Sequence, residues 1–477
     1  MKRITSHELA GGTSVTRTAP VQESTLIPRT ERRAEGKRLR EKCPRDVHRI
    51  WKPQTDRPDP VDMVRKADEG RMQDLVPLRH GRMARSPFTF FRGAALNMAH
   101  DLATLPTPGI EVQCCGDAHL MNFGGFATAE RNIIFGINDL DETLPAPWDW
   151  DLKRLTVSFV VACRDNGLSD AIGKDAVLSC VEAYRKSMKA YSEMKSLDLW
   201  YHSIEAEALI ASIDSAAMRQ RVIRRIEKAR MSSLAEDLFP KLAMGAGRTA
   251  TIKDEMPIIF HPRGVNAGAL DTAITKGFDA YRKSLTPSQR VLVDRFEIVD
   301  AAFKVVGVGS VGTRCWVLLL TDGAGDPLFL QVKEARESVL EPYAGKSQFG
   351  NHGQRVVNGH RLMQPASDIF LGWTKGEGGH EHYVRQLRDI KVKPAVETFG
   401  KTEMMLYANW CGQSLALSHA RSGDPSIISG YLGKSDEIDN AIATFSLLYA
   451  EQNEADYALF KRAVNDGTLK VAFDPPE

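Results

Sequence analysis

Two short stretches combine carboxylates and amides at spacings that could do chemistry. The first is Gly116-Asp117-Ala118-His119-Leu120-Met121-Asn122, and the second is Asn138-Asp139-Leu140-Asp141-Glu142. Phosphoryl transfer needs little covalent help from a protein. It needs a carboxylate that orients or deprotonates the acceptor hydroxyl, and ligands that hold Mg²⁺ on the phosphates. Asp117 could supply the base, Asn122 one metal ligand and Asp139 a second, with Asp141 and Glu142 adding charge beside it. Taken singly, each of these residues is an ordinary turn residue. Three of them on loops that flank apolar strands make a more specific pattern.

A third stretch, Gly307-Val308-Gly309-Ser310-Val311-Gly312, fits two phosphate-binding patterns. In a dinucleotide fold such a loop opens a helix. Here it runs into Thr313-Arg314-Cys315-Trp316-Val317-Leu318, which reads as strand. The other pattern is a glycine loop between two antiparallel strands that folds over ATP, with a lysine on the next strand. Lys333 stands 21 residues past Gly312, between apolar Val332 and Ala335, where a buried ammonium requires an anionic partner. A rival pattern, a dinuclear metallophosphoesterase, can draw on Asp117, His119, Gly350-Asn351-His352 and Gly379-His380-Glu381-His382. It lacks the Gly-Asp-x-x-Asp segment that supplies the rest of the metal cage.

The elements that must position these residues are legible in outline. Residues 87–103 read as helical, with Phe91, Ala94, Ala95, Met98 and Leu102 at helical spacing. Short strands are expected at 112–114 and 133–137. A helix starts near Pro147, with Asp149 and Asp151 in its first turn, and ends at Asn166-Gly167. Residues 172–235 read as helices, and Arg219 to Arg230 form a basic run on one of them. Residues 301–335 predict a three-stranded antiparallel sheet with the glycine loop as its first turn. After residue 400 the chain is helical again.

Composition sets the frame. The 477 residues are 43% hydrophobic and 26% charged, ordinary values for a globular protein. The longer apolar runs, Phe159–Cys163 and Cys315–Leu320, fall far short of the ~20 residues of a membrane span. No apolar leader follows Met1, and the seven cysteines form no Cys-x-x-Cys pair, so a reducing, cytoplasmic setting without a membrane is expected. Residues 1–52 carry 13 Lys/Arg against 6 Asp/Glu, which leaves the remainder net acidic and argues against a nucleic-acid binder. Five regions are expected: a basic flexible arm at 1–45, residues 46–195 with the Asp117 and Asp139 segments, a helical insertion at 196–295 that could take an acceptor, a β lobe at 296–400, and C-terminal helices at 401–477.

From about residue 36 to 460 the sequence resembles the bacterial family catalogued as domain of unknown function 2252. Ser86-Pro87-Phe88 to Gly93, Cys115 to Gly124, Asn138 to Leu155, Val306 to Cys315, Gln331 to Ala335, Gln354 to Trp373, Tyr383 to Asp389 and His419 to Asp424 carry the likeness. More distantly, Gly116-Asp117-x-His119-x-x-Asn122 resembles the catalytic loop of aminoglycoside- and choline-kinase-like phosphotransferases. That resemblance implies Asp117 as catalytic base, with His119 and Lys333 also in the catalytic set. It implies Asn122, Asp139 and Asp141 as Mg²⁺ ligands, and Gly307, Gly309, Ser310, Gly312 and Lys333 as the ATP cradle. Trp150-Asp151-Leu152 resembles the stretch that braces the catalytic loop. The helix ending His419-Ala420-Arg421 resembles the one that normally runs straight into that loop.

Chain order departs from those kinases, because the catalytic and metal segments at 116–141 precede the glycine loop and lysine at 307–333. A circular permutation can keep the same contacts. The implied fold is therefore α+β: two-lobed, protein-kinase-like and permuted, with a small antiparallel β lobe and a larger helical lobe. The implied function is ATP- and Mg²⁺-dependent phosphoryl transfer to a small-molecule hydroxyl acceptor that the sequence does not name. The alternative within that fold is a nucleotide-binding protein that regulates, or that transfers AMP. No glutamate is fixed as the partner of Lys333, since Glu337 and Glu341 follow it closely and the helix from Gln354 to Met363 offers none. If the permutation holds, the Lys333 ammonium and the Asp139 carboxylate face one cleft, on the order of 5–12 Å apart when it stands open.

Overall fold

The structure, a computed structural model, describes residues 27–232, 235–262, 267–387 and 390–474. It is an α+β protein in which a helical body carries a two-stranded and a three-stranded antiparallel sheet and an antiparallel sheet of six strands packs beside it.

The body is built around α2 (Trp148–Asp165), which is buried on nearly every side. Pro147 precedes it, Asp149 and Asp151 occupy its positive end, and Gly167, with φ +72°, follows its last turn. Strand β1 (Glu111–Cys114) leads into the Asp117 loop. That loop continues into β2 (Phe123–Ala127), which pairs antiparallel with β3 (Ile133–Ile137), and the Asp139 segment joins β3 to β4 (Leu144–Pro147). Strands β1 and β4 pair with each other, so both polar segments leave from adjacent strand ends. The expected helix over 87–103 is two helices, Pro87–Gly93 and Ala95–Ala103.

Helix α3 (Asp170–Glu193) packs along α2. The region 196–295 is not purely helical. Besides α4 (Ala216–Ser232), α5 (Ala235–Leu242) and α6 (Ala267–Ser284) it contributes short strands, one of which, β5 (Ile259–Phe260), joins the edge of the large sheet. Strands β6 (Glu297–Lys304), β7 (Cys315–Thr321) and β8 (Pro327–Glu334) follow in antiparallel order, with the glycine loop joining β6 to β7. The expected three strands are therefore present, inside a larger sheet. Helix α7 (His352–Met363) crosses to β9 (Gly372–Lys375) and β10 (Glu381–Gln386), and β10 pairs with β8. A short strand, β11 (Lys391–Val392), extends the β2–β3 hairpin. Helices α8 (Lys401–Ser422), α9 (Pro425–Leu432) and α10 (Glu437–Asn465) complete the body. Among the described residues no helix is long and apolar enough to cross a membrane.

The basic arm needs correction. Residues 1–26 lie outside the described residues, but Arg29–Lys42 is a helix, α1, docked on α9. Its composition is almost wholly polar, so hydrophobic periodicity does not reveal it. The helices meet through backbone instead. A Cβ on Gly36 would lie 2.0 Å from the Ile427 carbonyl oxygen, and one on Gly430 would lie 2.2 Å from that of Arg33. Arginines cap the orphan carbonyls at the end of α9: Arg40 Nε donates to Tyr431 O at 2.8 Å and Arg45 Nη1 to Leu432 O at 2.8 Å. We expect Gly36→Leu to lower the unfolding free energy by about 2 kcal/mol or more, while Lys37→Leu on the exposed side changes it by less than about 0.5 kcal/mol. Urea titrations of the full chain measure both.

Candidate functional site

The Asp117 loop is held from beneath. The carboxylate of Asp151, in the first turn of α2, accepts the Cys115 N–H at 2.5 Å and the Gly116 N–H at 3.0 Å. His419, near the end of α8, sits 3.2 Å from the same carboxylate through Nε2, and its Nδ1 is 2.9 Å from the Tyr184 hydroxyl. Gly116 has φ +83°, and a Cβ there would lie 2.4 Å from the Glu142 carbonyl oxygen, so only glycine fits. The ligand atoms of Cys114, Asp151 and His419 lie within 4.8 Å of one another. Burial pushes the Cys114 thiol well up, which keeps it protonated, and it donates to Ala146 O at 3.5 Å. This cluster is therefore a brace for the loop. The brace also draws two distant parts of the chain together, since the Gln113 N–H donates to Ser422 Oγ at 3.3 Å where α8 ends and β1 begins.

On this loop Asp117 is held by Arg154 of α2, whose Nε and Nη2 approach its Oδ1 at 2.6 and 2.5 Å. Burial alone would raise the Asp117 carboxyl, but Arg154 outweighs it, with Arg92 helping, and holds it below the usual range. The Asn122 side-chain amide donates to the Asp117 carbonyl at 2.8 Å, so its oxygen is the end that can ligate. His119 is buried with Nε2 3.7 Å from Asp117, and burial lowers its imidazole to about 3. It is therefore neutral at physiological pH and cannot act there as a proton donor of imidazolium type.

The sheet meets this loop at Lys333. Its ammonium lies 2.7 Å from Asp141 Oδ2 and 3.5 Å from Asp139 Oδ1, although 192 residues separate Lys333 from Asp141. The latter distance is shorter than the open-cleft expectation, because the ammonium rests directly on the acids. The Tyr383 hydroxyl donates to the other Asp141 oxygen at 2.6 Å, and Ser310 Oγ of the glycine loop lies 3.4 Å from Asp141 Oδ2. Burial opposes charge on Lys333, yet Asp139 and Asp141 outweigh it and hold the ammonium well above its usual range. The two acids part company. Asp141 is driven far down by Lys333 despite burial, whereas burial and then the charge of Asp141 push Asp139 up. Asp139 Oδ1 is buried and has no hydrogen-bond partner.

The other glycine-loop residues pack against the body. Val308 is buried beside Phe90, a Cβ on Gly309 would lie 3.6 Å from Arg92 O, and Gly312 (φ +84°) lies against Arg71. Gly307 faces open space. The glutamate sought for Lys333 is not on α7. That helix instead contributes Arg355, which donates to Thr143 O at 2.6 Å and to Asp141 O at 2.9 Å, while Glu341 stands beside Arg355. His382 alternates with Tyr383 on β10 and so lies on the sheet face opposite Lys333, and His380 turns to Glu334 at 3.3 Å. These two histidines are not brought to Asp117.

Several residues in the site went unassigned in the sequence. Tyr383 and Arg385 project into the cleft from the strand paired with Lys333, and their period-two spacing within the family-like segment Tyr383–Asp389 was the available signal. Arg92 lies in the charge field of both Asp117 and Asp139, its Nε buried without a partner. Burial, with Arg385 next, lowers the Lys391 ammonium to about 7 near Asp139.

Four buried histidines give the fold a pH signature. Burial holds His48 below its usual range, His119 and His360 at about 3, and His382 at about 4. An unfolded histidine titrates near ~6.5, so below that pH the unfolded chain takes up protons that the native chain refuses. The stability these histidines contribute is therefore fully present above about pH 7 and falls as the pH drops from about 6.5 toward 4. Each histidine contributes up to about 1.4 kcal/mol per pH unit. Urea unfolding measured across this window should show the decline, and His119→Gln should reduce the slope by one proton's share.

No curated protein and no solved structure matches the chain. The profile of a family described as an uncharacterized protein conserved in bacteria (DUF2252) matches residues 71–463, a span that includes the Asp117 loop, the Asp139 segment, the glycine loop and Lys333. The chain belongs to the DUF2252 family.

Proposed function

We propose that the chain is an ATP- and Mg²⁺-dependent phosphotransferase acting on a small-molecule hydroxyl, with a kinase-like, circularly permuted fold. The observation that carries this reading is the contact of Lys333 with Asp139 and Asp141 at 3.5 and 2.7 Å, beneath the glycine loop that precedes Lys333 by one strand. In the kinase pattern the lysine on the third strand holds phosphate oxygens, and the metal ligands face it across the cleft. The meeting of the α8 end with the β1 start supports the permutation. A chain running from α8 directly into β1 would read glycine loop, lysine, catalytic loop, metal aspartate.

The residues fit a magnesium ion. Asp139 offers a buried carboxylate oxygen without a hydrogen-bond partner, and Asn122 offers its side-chain oxygen nearby in sequence to the base. Bound Mg²⁺ would neutralise the charge that develops on the transferred phosphoryl group. Lys333 must leave Asp141 to take the phosphates, so the sheet and body open slightly on binding. Arg92 supplies a further cation on the same side. Asp117, kept ionised, orients the acceptor hydroxyl and receives its proton late, as suits a loose transition state. Seven buried free cysteines and the ATP requirement fit a cytoplasmic setting.

One observation favours a second reading, nucleotide binding without phosphoryl transfer, or transfer of AMP. Arg154 occupies Asp117 Oδ1 at 2.5 Å, which weakens that carboxylate as a base. Thermal-shift titration separates these readings from failure of both. ATP with Mg²⁺ should raise the melting temperature of the wild type, since a ligand that binds only the native state stabilises it. Asp139→Asn should remove the Mg²⁺-dependent part of that shift, as should EDTA, and Lys333→Ala should reduce the whole shift. With ATP labelled at the γ-phosphate, label released as inorganic phosphate or carried on an acceptor by the wild type and not by Asp117→Asn supports phosphoryl transfer, and label released as pyrophosphate supports transfer of AMP. A shift with ATP left intact supports nucleotide binding without transfer, and no shift contradicts both readings.

A further inference from the structure

The β2–β3 hairpin, which carries Asn122 at one strand end and Asn138 at the other, forms a wall of a second site whose lining does not include Lys333. A cavity of about 380 Å³ lies there, between the hairpin, β11, helix Ala206–Ala211, α4 and α8. That volume falls in the range of small-molecule sites, roughly 300–1,000 Å³. Its interior is apolar and aromatic: Phe135 stands edge-on to Tyr407 and to Trp410, with ring centroids 5.8 and 5.9 Å away, and Phe399 lies edge-on to Tyr407 at 5.5 Å. The hairpin contributes Gly125 instead of a side chain. A Cβ there would reach Ile133 at 3.3 Å and Val392 at 3.2 Å, so any larger residue would intrude on this wall.

The mouth carries basic side chains. Helix α4 presents Arg221 and Arg225, one turn apart, and Lys393 follows β11. The lining holds one carboxylate, Glu403, and Arg221 takes it at 2.9 Å. Arg225 is exposed and has no carboxylate partner among the described residues. The basic run on α4, a solvated face by sequence, thus stands at the entrance of an apolar cavity.

We propose that this cavity binds a molecule with an apolar body and one anionic end, of the medium-chain fatty-acid type, with the carboxylate at Arg225. Burial of the chain among aromatic and aliphatic side chains supplies affinity, and the unmatched guanidinium selects an anion over a neutral analogue. The inference does not depend on phosphoryl transfer.

Titration calorimetry on the full chain tests it, with dodecanoate below its micelle concentration against dodecanol. The wild type should bind dodecanoate at least threefold tighter than dodecanol. Arg225→Gln, a change on an exposed position, should erase that preference while leaving dodecanol binding unchanged. Val222→Trp, which fills the cavity from α4, should weaken both ligands at unchanged melting temperature; if that variant unfolds, Arg225→Gln alone decides. Three results would overturn the proposal: no binding of dodecanoate by the wild type, equal affinity for the two ligands, or binding to anionic phospholipid vesicles with none to monomeric dodecanoate.

Discussion

Asp139 and Asp141 sit two residues apart in a part-buried cleft, and two carboxylates so close cannot both stay ionised there without a cation between them. Lys333 supplies that cation, and it is itself 97% shielded from solvent and costly to bury unpaired. Neither partner is at home in the fold without the other. Because Lys333 lies on β8 and the acids follow β3, this mutual need fixes how the large sheet meets the helical body. Tyr383 and Ser310 add a hydroxyl each to Asp141, so two strands and the glycine loop share one anchoring carboxylate. An ion cluster of this kind is weak evidence for stability as such. Its plainer consequence is that a ligand carrying its own negative charge and a divalent cation can exchange partners with it at little electrostatic cost.

The brace under the Asp117 loop has a different character. Asp151 caps two backbone N–H groups, and His419 with Tyr184 fixes Asp151 in turn. This is rigid positioning. The Lys333 cluster instead joins the sheet to the Asp139 segment, through one ammonium and two hydroxyls on a single carboxylate.

How much of this the sequence discloses depends on what carries each feature. Strands β6 to β8 announce themselves through apolar runs separated by Gly-rich and Asp322-Gly323 turns, and the helix after Pro147 through its first-turn acids. The convergence of Lys333 with Asp139 was legible only through the resemblance to permuted kinases, since the cost of burying a lysine asks for some anion without naming it. The choice of Asp141 as its closest partner was not, since Asp139 and Asp141 are equivalent in sequence and only the geometry tells them apart. Helix α1 was invisible because its contacts are backbone approach at Gly36 and arginine-to-carbonyl bonds, neither of which leaves a hydrophobic period. The resemblance to kinase-like catalytic loops puts His119 in the catalytic set, and only its burial shows that it is held neutral. The residues that complete the cleft, Arg92, Arg154 and Tyr383, come from three elements whose meeting is a tertiary fact.

The central claim is that phosphates bind between Lys333 and the Asp139 segment. An acyl-phosphate derivative of ATP transfers its acyl group to a lysine amine held beside the bound phosphates, and peptide mass spectrometry identifies which lysine receives it. The account predicts acylation of Lys333, suppressed by excess ATP with Mg²⁺. ATP-protectable labelling at another lysine with Lys333 untouched, or no ATP-protectable labelling at all, would contradict it.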